Sequence, residues 1–172
     1  MTLAGLLLLG LPAGLVPCDA QHAEYRLRGA RGVIAGFERQ RFQVNFASDL
    51  FFWVRTQDGR RWWFSMNAPN GSGLQYLTPD VDATTITESD REAEPAPPTE
   101  EVAQIDIDLF DAEFDVITSL PQASDRAPAH IFTRNLAALL WYNPGAAAGG
   151  DANAHAVDIP TAMFDLVGCR SR

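Results

Sequence analysis

The chain has 172 residues, a formal net charge of −9, and 13 basic residues that are all arginine. So acidic a balance speaks against nucleic acid as a partner. Beyond its apolar N-terminus about 150 residues remain, enough for one domain that buries roughly two thirds of its unfolded surface. Charge is unevenly spread: residues 21–67 hold eight Arg against four acids, and residues 68–172 hold five Arg against 17. The basic half can face an anionic surface, or the two halves can complement each other across one fold.

Residues 3–16, LAGLLLLGLPAGLV, form an uncharged apolar run. At about 14 residues it falls short of the roughly 20 that cross a hydrocarbon core, so it reads as an export signal rather than a membrane span. Cys18, Asp19 and Ala20 put small residues three and one positions before a cut after Ala20. The expected organisation is therefore a signal peptide over residues 1–20 and a single β-rich domain over 21–172, in the periplasm or outside the cell. A cut after Ala23 is the runner-up. Leu15-Val16-Pro17-Cys18 also has the outline of a lipid-anchoring site, although Pro17 stands where a small residue is usual. A Cys18–Cys169 disulfide is expected only if Cys18 is retained. Otherwise Cys169 is a small buried hydrophobe beside Leu166 and Val167.

Strand signals fill residues 24–67. Tyr25 and Leu27 alternate with polar neighbours, Val33–Phe37 is a short apolar segment, and Phe42, Val44 and Phe46 alternate with Gln43 and Asn45. Asp58-Gly59, between Phe51–Gln57 and Arg60–Met66, suits a two-residue type I′ turn. That register sets Trp53 opposite Phe64, Arg55 opposite Trp62 and Val54 opposite Trp63, and it puts Phe51, Trp53 and Phe64 in the core. Residues 67–73, NAPNGSG, read as a loop, and Leu74, Tyr76 and Ile86 mark weaker strands.

Residues 88–101 carry six acids and three prolines without apolar periodicity, so they are expected as a solvated acidic loop. A second hairpin follows, with Ile105, Ile107 and Leu109 alternating against Asp106 and Asp108, a turn near Asp111-Ala112, and a return over residues 113–118. The helical signal lies at residues 129–142, opened by Pro128, with Phe132, Leu136, Leu139 and Leu140 at helical spacing. Residues 145–156 read as a loop and residues 157–167 as a last strand. The expected fold class is mainly β (α+β), a twisted antiparallel sheet or partly closed barrel or sandwich with one helix packed near residues 129–142.

No catalytic constellation is legible. His22, His130 and His155 lie in unrelated segments, without a nucleophile motif or paired cysteines. Asp151, Asn153 and His155 alternate and can turn to one side, which makes them candidate metal ligands, but they lack the glycine and terminal acid of a calcium loop. Asp106 and Asp108, with Asp111 or Asp115, raise the same question, and the exposed face of a strand explains them. The candidate ligand platform is the aromatic hairpin, where Arg55, Arg61, Trp62, Trp63 and Asn67 offer flat apolar rings beside hydrogen-bond donors. The chain therefore reads as an exported binding or structural module without a cofactor, with envelope polysaccharide, a peptide or another envelope protein as its partner. A periplasmic hydrolase using His130 or His155 with an aspartate is the alternative, and a lipid-anchored assembly factor is the third.

Overall fold

In a computed structural model, the described residues are 18–41, 47–69, 74–89 and 103–170. The apolar run at 3–16, the alternation at 42–46 and most of the acidic loop lie outside them. Among the described residues nine strands form one antiparallel sheet: β1 (Ala23–Leu27), β2 (Ile34–Arg39), β3 (Leu50–Arg55), β4 (Arg61–Asn67), β5 (Tyr76–Asp80), β6 (Ile105–Phe110), β7 (Val116–Ile117), β8 (His130–Thr133) and β9 (Met163–Cys169). β1 through β5 pair in chain order, β5 pairs with β6, β6 with β8, β8 with β9, and β9 returns to β1. The result is a closed eight-stranded barrel, with β7 as a short hairpin on β6.

Closure satisfies every barrel strand on both edges, which removes the exposed edges that invite aggregation. Period-2 alternation then decides what fills the barrel. Tyr25, Phe37, Phe52, Trp62, Phe64, Leu77, Ile105, Ile131 and Phe164 all point inward and are fully buried. Phe52 sits among Phe37, Phe64 and Phe164, with ring centroids 5.7, 6.4 and 6.1 Å away. Eight strands leave a lumen just wide enough for such side chains, so the interior is packed core.

A second, smaller cluster lies outside the barrel wall, where Phe51, Trp53 and Trp63 pack under Ala83 and Ile86. Gly36 makes this layer fit. The Trp53 ring passes so close that a Cβ on Gly36 would stand 2.6 Å from Trp53 Cζ2 and 2.8 Å from the Ala23 carbonyl.

The hairpin at Asp58-Gly59 forms, but its register is one residue away from the expected one. Trp53 pairs with Trp63, Val54 with Trp62 and Phe52 with Phe64. The loop holds three residues instead of two, with Thr56 N donating to Arg60 O. Asp58 Oδ1 accepts from Thr56 Oγ1 and from Arg60 N, and Gly59 takes φ +85°. This is the longer loop that a left-handed glycine closes, and the one-residue slip exchanges the faces that a two-residue turn would give to β4. Phe51 and Trp53 are buried as expected, but on the outer face, while Phe64 lies inside.

The expected helix over 129–142 is half right. His130–Thr133 is strand β8, and only α1 (Leu136–Tyr142) is helical, followed by the single turn α2 (Pro144–Ala147). His-Ile-Phe-Thr suits a strand as well as a helix, and the barrel needs β8 to bridge β6 and β9. α1 buries Leu136 and Leu140 in the main core. The last strand begins at Met163 rather than at residue 157.

The residues flanking the expected cut are built into the fold. Ala20 is fully buried, its N–H donates to Asp125 O, Ala127 N donates to Cys18 O, and Arg170 Nη2 donates to Gln21 O. Cys18 is bonded to Cys169, at a Cα separation of 5.9 Å. The bridge spans the seam where β1 meets β9, so it ties the two ends of the described chain at the place where the barrel closes.

Candidate functional site

On the hairpin wall the sequence candidates separate. Neighbours on a strand face opposite ways, so Trp62 turns into the barrel and Trp63 onto the outer wall, and they are 1% and 4% exposed. Trp62 Nε1 donates to Thr56 Oγ1 at 3.2 Å. Neither ring offers a bare face. The Arg60 guanidinium lies 5.1 Å from the Trp62 ring centroid, and Arg61 lies 4.5 Å from that of Trp53 and 5.3 Å from that of Trp63. Cation–π attraction of this kind contributes about 0.5–1 kcal/mol at exposed sites and about 2 kcal/mol where the pair is desolvated.

The arginines, not the indoles, are what this wall presents. Arg60, Arg61, Trp62 and Trp63 meet Asp80, Asp82 and Asp151 around a cavity of about 310 Å³. Arg60 Nη2 donates to Asp151 Oδ2 at 3.2 Å, while Arg60 Nη1 is buried with no acceptor among the described residues. Asp80 accepts from Ser65 Oγ and is fixed in place. Two guanidiniums and three carboxylates give the cavity both donors and acceptors at short range. Arg55 is exposed near the hairpin turn and Asn67 sits at the far end of β4, donating to Ser65 O and Thr78 Oγ1. Neither lines the cavity.

Asp151, Asn153 and His155 do not converge as ligands. Asp151 bonds Arg60 with one oxygen and the backbone N–H of Asn153 with the other, and His155 is exposed. Asp108 is held by Arg134, and Asp111 Oδ1 accepts from the N–H groups of Glu113 and Asp115 in its own turn. Among the described residues no three His, Cys, Asp or Glu are grouped to hold a metal ion.

A constellation that the sequence named only as His130 with an unspecified aspartate lies across β8, β9 and the residue that follows β1. His130 Nδ1 is 2.7 Å from Asp165 Oδ1, while Arg28 donates to Asp165 through Nε at 2.5 Å and Nη2 at 2.8 Å. Phe114, held at φ +66°, stacks flat on the imidazole with centroids 4.2 Å apart. His130 is therefore half-buried on a strand, not exposed on a first helical turn. Only the Arg26↔Asp165 and His130↔Asp165 registers bring these residues together, and no local spacing announces them.

No family model, curated protein or solved structure matches this chain.

Burial pushes the Asp165 carboxyl up, but hydrogen bonds from Arg28 and His130, with their charges, outweigh it and hold its pKa below the ordinary value. A carboxylate depressed on folding stabilises the fold above the unfolded pKa, near ~3.9, and that contribution disappears as pH falls through the folded value. Asp165→Asn should therefore be less stable than the wild type near ~pH 5, with the gap closing in stronger acid. Urea midpoints measured across that range check this, and a gap that persists undiminished in acid would contradict it.

Proposed function

We propose that the protein is an exported, disulfide-stapled barrel that binds its partner on the outside of its wall and carries out no catalysis. Export is supported by the apolar leader and by the Cys18–Cys169 bridge, which belongs to an oxidising compartment. The lumen is filled by aromatic rings, so recognition falls to the surface. Among the described residues no helix is long and apolar enough to cross a membrane. Lipid anchoring through Cys18 would need the sulfur that Cys169 already occupies.

The observation that carries the reading is the cavity where Arg60 and Arg61 face Asp80, Asp82 and Asp151. Paired donors and acceptors suit a hydroxyl-rich ligand, so an envelope polysaccharide segment is the partner of choice, ahead of a peptide or another envelope protein. Because the arginines lie on three indoles, a ligand that engages them will alter tryptophan emission. Titration with oligosaccharides is expected to give a saturable change, weakened about tenfold in Arg61→Gln by loss of charge-assisted hydrogen bonds. An unresponsive emission, or an Arg61→Gln variant that binds as well as the wild type, refutes the proposal, and a response to peptides alone moves the partner to that class.

The His130–Asp165 hydrogen bond favours a second reading, a hydrolase in which Asp165 orients His130 as a base. Ester or amide hydrolysis that is present in the wild type and lost in His130→Ala would replace the binding assignment.

A further inference from the structure

Three strands round the barrel from the Arg60–Arg61 cavity, a second depression of about 340 Å³ opens between the end of β1 and β9, lined by Arg26, Arg28, Arg31, Ala30, Asp165 and Val167. Its charge is unusual for a chain of net −9. Among the described residues Asp165 is the one acid in that lining, and Arg28 grips it through two hydrogen bonds, so these two cancel. Arg26 and Arg31 are exposed and have no ion-pair partner among the described residues. The depression therefore holds two guanidiniums that no described acid compensates.

Topology puts them there. Arg26 stands on β1 directly opposite Asp165, and Arg31 is carried round by the tight β1–β2 turn, where Gly29 and Gly32 take φ of +75° and +88°. The half-exposed Val167 adds an apolar rim, with the buried Ala30 beneath. Guanidiniums present forked donors that match the oxygens of a tetrahedral oxyanion, and two free positive charges match a dianion.

We propose that this depression is a phosphate-binding site, that Arg26 and Arg31 are its direct ligands, and that its occupant is a small organic phosphomonoester. A phosphomonoester carries about −1.5 to −2 charges at neutral pH, and its organic part can lie on Val167. The site is independent of the Arg60–Arg61 cavity, and each can fail without the other.

The test is calorimetric or NMR titration of the full, oxidised protein with inorganic phosphate, glycerol phosphate and acetate. Glycerol phosphate is expected to bind most tightly, inorganic phosphate more weakly and acetate weakest, with affinity falling as salt is raised. Arg26→Gln and Arg31→Gln should each weaken glycerol phosphate binding about tenfold. Arg39→Gln, a surface change on β2 outside the depression, should leave it unaltered, and unchanged thermal melting of all three variants would separate lost binding from lost folding. Equal affinity for inorganic and glycerol phosphate overturns the ester assignment and leaves a phosphate site. Absence of saturable binding to either phosphate, or binding that survives both Arg26→Gln and Arg31→Gln, overturns the site itself.

Discussion

Replacing Cys18 and Cys169 together by alanine is expected to destabilise the protein by about 2–5 kcal/mol. The two cysteines are 151 positions apart, and the bridge closes a loop containing the whole barrel. A cross-link over so long a loop removes more freedom from the unfolded chain than a short one, which puts the effect toward the upper part of that range. The bridge also lies at the mechanically decisive seam. Only the β1–β9 pairing joins the N-terminal run of strands to the C-terminal strands on that side, and Ala23 pairs directly with Cys169. Amide exchange on β1 and β9 should therefore accelerate before exchange on β3 and β4 when the bridge is lost. Urea unfolding of the oxidised and reduced wild type beside the double variant checks the magnitude. Coincident midpoints for all three would show that the bridge contributes nothing to the fold.

Phe52→Ala is expected to cost about 3–5 kcal/mol, comparable to loss of the bridge but by a different route. Phe52 is fully buried, and its ring meets Phe37 on β2, Phe64 on β4 and Phe164 on β9. Removing it takes away a ring that meets three other strands and leaves a hole that a closed barrel collapses into poorly, because the barrel strands are held by hydrogen bonds on both sides. For a domain of about this length each kcal/mol moves the melting temperature by roughly 2–4 °C, so a drop of roughly 6–20 °C should be seen. Val116→Ala, at a residue 63% exposed on β7, should change it little. A Phe52→Ala protein that melts with the wild type would mean that the lumen is not packed as the ring contacts require.

Much of the barrel is legible along the chain, because the signals that make it are local. Alternation at Ile105, Ile107 and Leu109 gives β6 its buried face and leaves Asp106 and Asp108 outside, as expected from period 2. Asp58-Gly59 announces a hairpin, and Asp111 a second turn. The register of the first hairpin is a finer matter. It depends on whether Asp58 caps a three-residue loop through Thr56 and Arg60, a choice of hydrogen bonds that the dipeptide alone leaves open. Residues 130–133 show the opposite limit, since Ile131 and Phe132 fit either a helix face or a strand. Pairing with β6 and β9 decides the matter.

The candidate sites were less legible. Of the five hairpin residues singled out, Arg61, Trp62 and Trp63 line one cavity, while Arg55 and Asn67 stand apart from it. The rings are covered because Arg60 and Arg61 fold back over them. His130 and Asp165 are 35 positions apart, and Arg28 is 137 from Asp165, so no spacing in the chain could pair them.

From its sequence alone the chain determined that it would be mainly strand, where its two hairpin turns would fall, and which residues of β6 would seek the interior, since these follow from side-chain alternation and turn chemistry within a few residues. Tertiary structure alone decided that the sheet would close, that Cys18 would meet Cys169, and that three arginines would gather beside Asp165. Those outcomes depend on pairing the first strand with the last, a contact between residues far apart in the chain that forms only once the strands between them have fixed the curvature of the wall.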